Sequence, residues 1–585
     1  FYVNYSYNDL SSEGLLTSNV IIHSGTYESL TIQGTTQFGS GNLVLETNFI
    51  VPLNTEIVFL PESSPMLDNT FHIIISGSLS AIGDLQNNIL FDNLHSEWNK
   101  FEVTSTGSAS FAYCTFTNGQ MPIYCKGELD VEHCSFTDND SGIMLDKPVS
   151  YAIKDSHFED CTLFGVFVKD SHLPVSESII KNSYITNSNY GIWLYNASPL
   201  IEADTLYANN LAGIYATRGS FPIVSKSSIS LTYSNSFDYP ELKLAAKSYP
   251  FINENNNDII FEMGNSIYNM DQETSEYNVN HVWWGTTNAT NISNSFFPST
   301  WDVDYNPFSL TPNVGYDPFP ANNLLQLGLI AESEQDILTA TNLYTQAINS
   351  DISESDALCA LERLFNCYVS INNIDGIQLL MSDIQNASPN APIGELTYLY
   401  DAYIDRILGN YETAIDKYTL ILNNETSYID SIFTELDLVY TYLDAESTSK
   451  SMSSVSYNGT SINSVDEAKQ KEKELWSMVE ANIKLTGKYN PEIVDIGLSN
   501  HPNPFNPTTT ISFNLSEESD VELTIYNVKG QRIKTLIDDN LSIGKHSIVW
   551  EGKDKNNKKV GSGIYFYSLK QGNGVRFTRK CVLLK

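Results

Sequence analysis

Arg218 is the lone guanidinium among the first 320 residues, which carry nine lysines besides. Arg218 follows the strand that begins at Gly213 and is kept as a candidate base. The plainer reading is a solvated corner residue. Seven histidines (His23, His72, His95, His133, His157, His172, His281) share no spacing that would gather them around a metal. His133 and His157 fall in neighbouring repeats and read as flanking a turn. The turn Asp138-Asn-Asp140 offers oxygens of the kind calcium takes, without an EF-hand loop or nonapeptide repeat around it. No nucleophile elbow, phosphate loop or dinucleotide fingerprint occurs. No catalytic residue, cofactor or metal ligand is therefore assigned, with calcium at the acidic turns as the one weak option.

A second group works through ring faces. Tyr124, Met144, Phe167, Trp193 and Tyr215 recur once per repeat, with Tyr195 two residues beyond Trp193. Strand side chains alternate, so in Gly191-Ile-Trp-Leu-Tyr195 the Ile and Leu face one side and Trp193 and Tyr195 the other. The same register gives two inward apolar columns, Ile123, Ile143, Val166, Ile192, Ile214 and Cys125, Leu145, Val168, Leu194, Ala216. Large apolar groups on an outer face call for a partner. One reading is a binding platform on which sugar rings stack; the other is a face covered by another part of the same chain.

These columns need a scaffold that repeats. Short strands recur at Cys114-Thr-Phe116, Cys134-Ser-Phe136, Ser156-His-Phe158, Ser183-Tyr-Ile185 and Asp204-Thr-Leu206, 20 to 27 residues apart, each followed by a polar turn and a second strand. A coil of this kind cannot bury its own apolar side, and stacking coils makes one continuous core. Cys114 and Cys134 occupy equivalent places and read as buried free thiols.

The texture changes twice more. From Asn322 to about Ala445 apolar residues recur at helical spacing, with Ala340, Ile377 and Ala414 each 37 apart. Residues 447–464 form a Ser-rich linker, a helix follows from Val465, and strands and glycine turns resume toward the end. The expected domains are 1–320, 321–490 and 491–585. Net charge is −38, split as +4 over residues 493–585 (13 basic, 9 acidic) and −42 over the rest (19 basic, 61 acidic). So acidic a surface repels phosphate backbones, which excludes nucleic acid. No apolar run is long enough for a transmembrane segment. A start at Phe1 is read as a mature chain whose signal peptide has been removed.

The coil Ser76 to Gly83, the strand Ile89-Leu-Phe91, the repeats, and the closing Val282-Trp-Trp-Gly285 and Val303-Asp-Tyr-Asn-Pro-Phe308 resemble secreted right-handed parallel β-helix proteins. That scaffold hosts lyases, hydrolases, adhesins and stalks, so the resemblance implies fold rather than function. Pectate lyases on that scaffold use an Arg or Lys to remove a proton next to a carboxylate, the role the resemblance would give Arg218, and the "N-T-D" and "G-H-G" strings of polygalacturonases are absent. The 37-residue period resembles tetratricopeptide-type helix pairs. The last segment, from His501-Pro-Asn-Pro-Phe-Asn-Pro507 through Val521–Gly530 to Arg579–Lys585, closely resembles the C-terminal sorting domains of the type IX secretion system. This implies an immunoglobulin-like β-sandwich, passage through the type IX machinery and a place outside a Gram-negative-type bacterium. The expected fold is thus multidomain: β-helix, α-helical region, β-sandwich. The expected role is non-enzymatic, binding extracellular polysaccharide or protein, or self-associating into a surface structure. The rival is a polysaccharide lyase or glycoside hydrolase working in the β-helix groove, which an acidic rod makes less favourable for anionic glycans.

Overall fold

Period-two alternation winds the first part of the chain into coils. The computed structural model describes most of residues 9–260, 324–485 and 499–583, none of 1–8, 231–241 and 486–498, and only short pieces of 261–323. Equivalent strands stack in parallel into three sheets of 13, 10 and 11 strands. Both inward columns stand in register, Ile123 beside Ile143, Val166, Ile192 and Ile214, and Cys125 beside Leu145, Val168, Leu194 and Ala216. All ten residues are fully buried. Each such aliphatic side chain contributes roughly 1.5–3 kcal/mol, so the coil stack is held mainly by this core. In the third sheet Phe116, Phe136 and Phe158 stack face to face at 4.6 and 4.7 Å. The thiols of Cys114 and Cys134 are free and buried. The motif from Val282 to Gly285 and from Val303 to Phe308 lies mostly outside the described residues.

The corners carry their own polar spine. Just before each strand of the third sheet, one side chain accepts the backbone N–H of the coil before it. Cys134 donates to Ser156 Oγ (3.1 Å), Ser156 to Ser183 Oγ (3.3 Å), Ser183 to Asp204 Oδ1 (2.6 Å), Asp204 to Ser227 Oγ (3.2 Å) and Ser227 to Asn257 Oδ1 (3.0 Å). Buried N–H groups that a turn takes out of the ladder are thereby satisfied. At another corner Gly127 lies so close to its neighbour that a Cβ would stand 2.1 Å from Gly107 O.

Eight α-helices follow among the described residues: α1 (Leu324–Ser333), α2 (Ile337–Ile348), α3 (Glu354–Ser370), α4 (Ile374–Ala387), α5 (Pro392–Ile407), α6 (Tyr411–Asn424), α7 (Tyr428–Glu446) and α8 (Val465–Leu485). The starts of α2, α4 and α6 repeat the 37-residue period, and Ala340, Ile377 and Ala414 are the fourth residue of each, fully buried. Side-chain caps from Asp336, Ser353, Asn373 and Ser427 start α2, α3, α4 and α7. The Ser-rich stretch between α7 and α8 contains an antiparallel hairpin, Val455–Tyr457 with Thr460–Ile462, whose Val455, Tyr457 and Ile462 are buried. Polar composition concealed that alternation.

The coils and the helices form one compact unit. The last residues form a second, a sandwich of a three-stranded and a four-stranded antiparallel sheet spanning Ser499–Leu583. Its own core includes Ile511, Phe513, Leu523, Trp550, Tyr567 and Leu583.

Candidate functional site

The first sheet presents the aromatic column. Its register runs Glu102, Tyr124, Met144, Phe167, Trp193, Tyr215, Lys243, and all of these point away from the coil core. Tyr124 and Met144 are half-buried, whereas Phe167, Trp193, Tyr195 and Tyr215 are buried. Phe167 and Trp193 stack at 4.9 Å, and Tyr190 bridges Trp193 and Tyr215 at 4.9 and 5.2 Å. The helices cover the column from Phe167 onward. Trp476 of α8 stands edge-on to Trp193 at 4.8 Å and touches Tyr195 at 5.7 Å and Phe167 at 6.4 Å. Tyr195 donates to Asp437 of α7 at 2.7 Å. Of the six residues, then, only Tyr124 and Met144 lie at the rim of the cover; the other four rings are contacts within the chain in this structure.

Arg218 is neither a solvated corner residue nor a free base. It is 5% exposed, and its Nε donates to Asp437 Oδ2 at 2.7 Å. Burial alone would lower its pKa, but Asp437 outweighs burial and holds the guanidinium above its ordinary value. Residues 1–492 contain just two further arginines, Arg363 and Arg406. Both are buried against the coils. Arg406 donates from Nε to Asp444 Oδ2 at 2.7 Å and from Nη2 to Asp170 Oδ2 at 3.0 Å. Arg363 pairs with Glu332 and donates to the carbonyls of Ser198 (2.8 Å) and Leu173 (3.1 Å). Glu332 accepts from Val175 N at 3.0 Å and from Tyr344 Oη at 2.6 Å. His172 completes the seam, with Nδ1 3.1 Å from Asn366 Oδ1 and 3.4 Å from Glu362 Oε1. Each of α1, α3, α5 and α7 thus brings at least one buried charge to the coil face.

The coil side of this seam is one corner column. Lys147, Asp170, Asn196 and Arg218 turn successive coils in the left-handed conformation, with φ of 54°, 50°, 50° and 55°. Such a residue costs about 1 kcal/mol or more in a non-glycine position, and here the side chains of Lys147, Asp170 and Arg218 reach the helices. Lys147 pairs with Asp444, and Asn196 donates to Asp170 at 2.8 Å. Nothing in the linear text joins positions 218 and 437. The available signal was compositional: a chain that spends only three arginines in 492 residues places each where a fixed, forked donor is needed.

At the rim the face is charged. His72 Nε2 lies 2.8 Å and Lys100 Nζ 3.1 Å from Glu102 Oε2. The His72 hydrogen bond, against opposing burial, brings Glu102 down to about 2. Lys100 and Lys126 lie over the Tyr124 ring at 4.7 and 5.5 Å, and Tyr124 donates to Asp146 Oδ2 at 2.7 Å. Burial opposes ionisation of Asp146, but Lys169, Lys147 and Lys126 outweigh it and hold the carboxyl below its ordinary range. The group thus presents two carboxylates and three lysines around the Tyr124 ring and its hydroxyl. Elsewhere Glu132, His133 and Asp155 bring one ligand atom each within 4.8 Å on an exposed corner, while His157 pairs across the sheet with Ser135 and Tyr184. No helix among the described residues is long and apolar enough to cross a membrane.

No curated protein matches the chain. A solved structure of the Pseudomonas fluorescens alkylpurine DNA glycosylase AlkC, bound to DNA containing an abasic site analog, aligns at 14% identity over 46% of this chain and 84% of its own. Its TM-score of 0.13 carries no argument. Residues 73–229 and 148–297 match the family described as right handed beta helix region, and residues 499–574 match the family described as FlgD Ig-like domain. The chain is therefore similar to right-handed β-helix proteins through its coils and to an immunoglobulin-like domain through its last sandwich.

Proposed function

We propose that this is a non-enzymatic protein of the cell exterior that binds an extracellular polysaccharide on the outward face of the first sheet, with the C-terminal sandwich serving export through the type IX machinery. The observation that carries the reading is the outward column of ring faces, half-buried at Tyr124 with its charged rim and lying under the helices from Phe167 to Tyr215. Flat apolar rings match the faces of pyranoses, and rim charges match their hydroxyls. The lyase alternative loses support because Arg218, its candidate base, is buried in an ion pair.

Affinity electrophoresis of the intact chain through a panel of neutral and anionic polysaccharides tests this, run beside assays for new reducing ends and unsaturated sugars. Retardation by at least one neutral polysaccharide without product release is expected. Product release points to the enzyme instead, and free migration through every gel sinks the binding reading.

A further inference from the structure

We propose that α8 is a displaceable cover, and that the Phe167–Trp193 surface beneath it is a concealed stacking site for a neutral glycan, with Trp476 standing where a sugar ring would go. This rests on the glycan reading above and locates it.

Two observations carry the proposal. The first is a contrast among the helices that touch the coils. Helices α1, α3, α5 and α7 are each fastened by a buried charge: Glu332, Arg363, Arg406 and Asp437. Helix α8 has no such pair to the coils among the described residues. It meets them through the half-buried Trp476, edge-on to Trp193 at 4.8 Å. Its polar ties among the described residues run to α7, to the turn before it and to itself: Trp476 Nε1 donates to Tyr440 Oη at 3.0 Å, Lys471 lies 3.5 Å from Glu435 and 3.4 Å from Glu474, and Glu467 accepts from Asn463 N at 2.7 Å. Among its described side chains only a narrow stripe, Ala468, Leu475 and Val479, is buried. Ring contacts and partly exposed ion pairs hold a helix more weakly than buried pairs whose rupture strands a charge.

The second is an unmet donor under the cover. Trp193 is 8% exposed, and its indole N–H finds no acceptor. A buried N–H without a partner is unfavourable, and a glycan hydroxyl arriving as the ring stacks on Trp193 and Phe167 would accept it. Trp476 supplies ring contact at this place but no acceptor. A ligand that supplies both displaces α8 when its binding to the open state exceeds the bias toward closure.

The test uses the intact chain in three forms. These are the wild type, Trp476→Ala, and a locked form in which Glu435→Cys and Lys471→Cys are joined by a short bismaleimide; the seven native thiols are buried. Cellohexaose, xylohexaose and mannohexaose are titrated calorimetrically, after circular dichroism melting confirms that each form is folded. Because closure lowers apparent affinity by the open fraction, Trp476→Ala is expected to bind at least about ten-fold tighter than wild type and the locked form at least about ten-fold weaker. Hydrogen exchange adds a readout independent of affinity. Amides of α8 are expected to exchange faster than those of α7, and faster still when the bound hexasaccharide is present. Equal affinity in all three forms overturns the concealed site while leaving glycan binding elsewhere on the sheet standing. Absence of binding in every form overturns both. Exchange in α8 as slow as in α7, unchanged by ligand, overturns the displaceable cover.

Discussion

Replacing Arg363 by Met separates a buried ion pair from ordinary packing. The substitution keeps most of the side-chain volume and removes the guanidinium that pairs with Glu332 and donates to the carbonyls of Ser198 and Leu173. Glu332, itself fully buried, then retains only Val175 N and Tyr344 Oη as donors. Stranding a buried charge in this way costs about 3–5 kcal/mol. With a urea slope of about 3 kcal/mol per M, the denaturation midpoint followed by tryptophan fluorescence falls by roughly 1–1.7 M. In a Glu332→Gln background the same substitution strands no charge. It should then cost only what the two carbonyls lose, about 1–2 kcal/mol, giving a coupling of roughly 1–4 kcal/mol. A single-variant cost under about 1 kcal/mol, or a coupling near zero, refutes the claim that these charges fasten the helices to the coils.

Asp437→Ala strands Arg218 in the same manner, and subtilisin should then cut within α7 and α8 before it cuts the coils; simultaneous loss of both counts against the seam. Gly127→Ala places a Cβ 2.1 Å from the Gly107 carbonyl, so the melting temperature should fall by an amount corresponding to about 1–3 kcal/mol, whereas an unchanged melt contradicts the close approach. Glu102 has its pKa depressed from 4.5 to about 2 by His72, so its contribution is present above pH 4.5 and lost as pH falls toward 2. The stability difference between wild type and Glu102→Gln should shrink through that window, and a difference independent of pH speaks against the pairing. Asp204 shows the opposite sign: burial raises its carboxyl well above the ordinary value. Its contribution is complete below the ordinary range and is lost as pH rises, so Asp204→Asn should gain stability relative to wild type on going alkaline.

The coil core was legible because each repeat presents its apolar residues two apart, and a one-residue error would have turned Ile192 and Leu194 outward. The helix period was legible for the same reason, since Ala340, Ile377 and Ala414 fill one position in successive pairs. The outward aromatic column followed from alternation too, but its neighbour did not. Trp476 is separated from Trp193 by nearly half the chain, and it sits in a helix whose flanking text is Lys and Glu. The three arginines were unreadable one by one because an Arg within a helix or after a strand is ordinarily solvated. Their burial depends on Asp170, Glu332 and Asp437 arriving from other segments. The hairpin at Val455–Ile462 was hidden by serines on its open side.

The seam leaves each half dependent on the other when they are made apart. Coils produced without the helices would display Phe167, Trp193, Tyr195 and Tyr215 to water, an invitation to clump. Helices produced without the coils would display the rings of Phe433, Tyr440 and Trp476 beside Glu332, Arg363, Arg406 and Asp437. Each half therefore acts as a chaperone toward the other, and an excess of either during synthesis would be open to self-association.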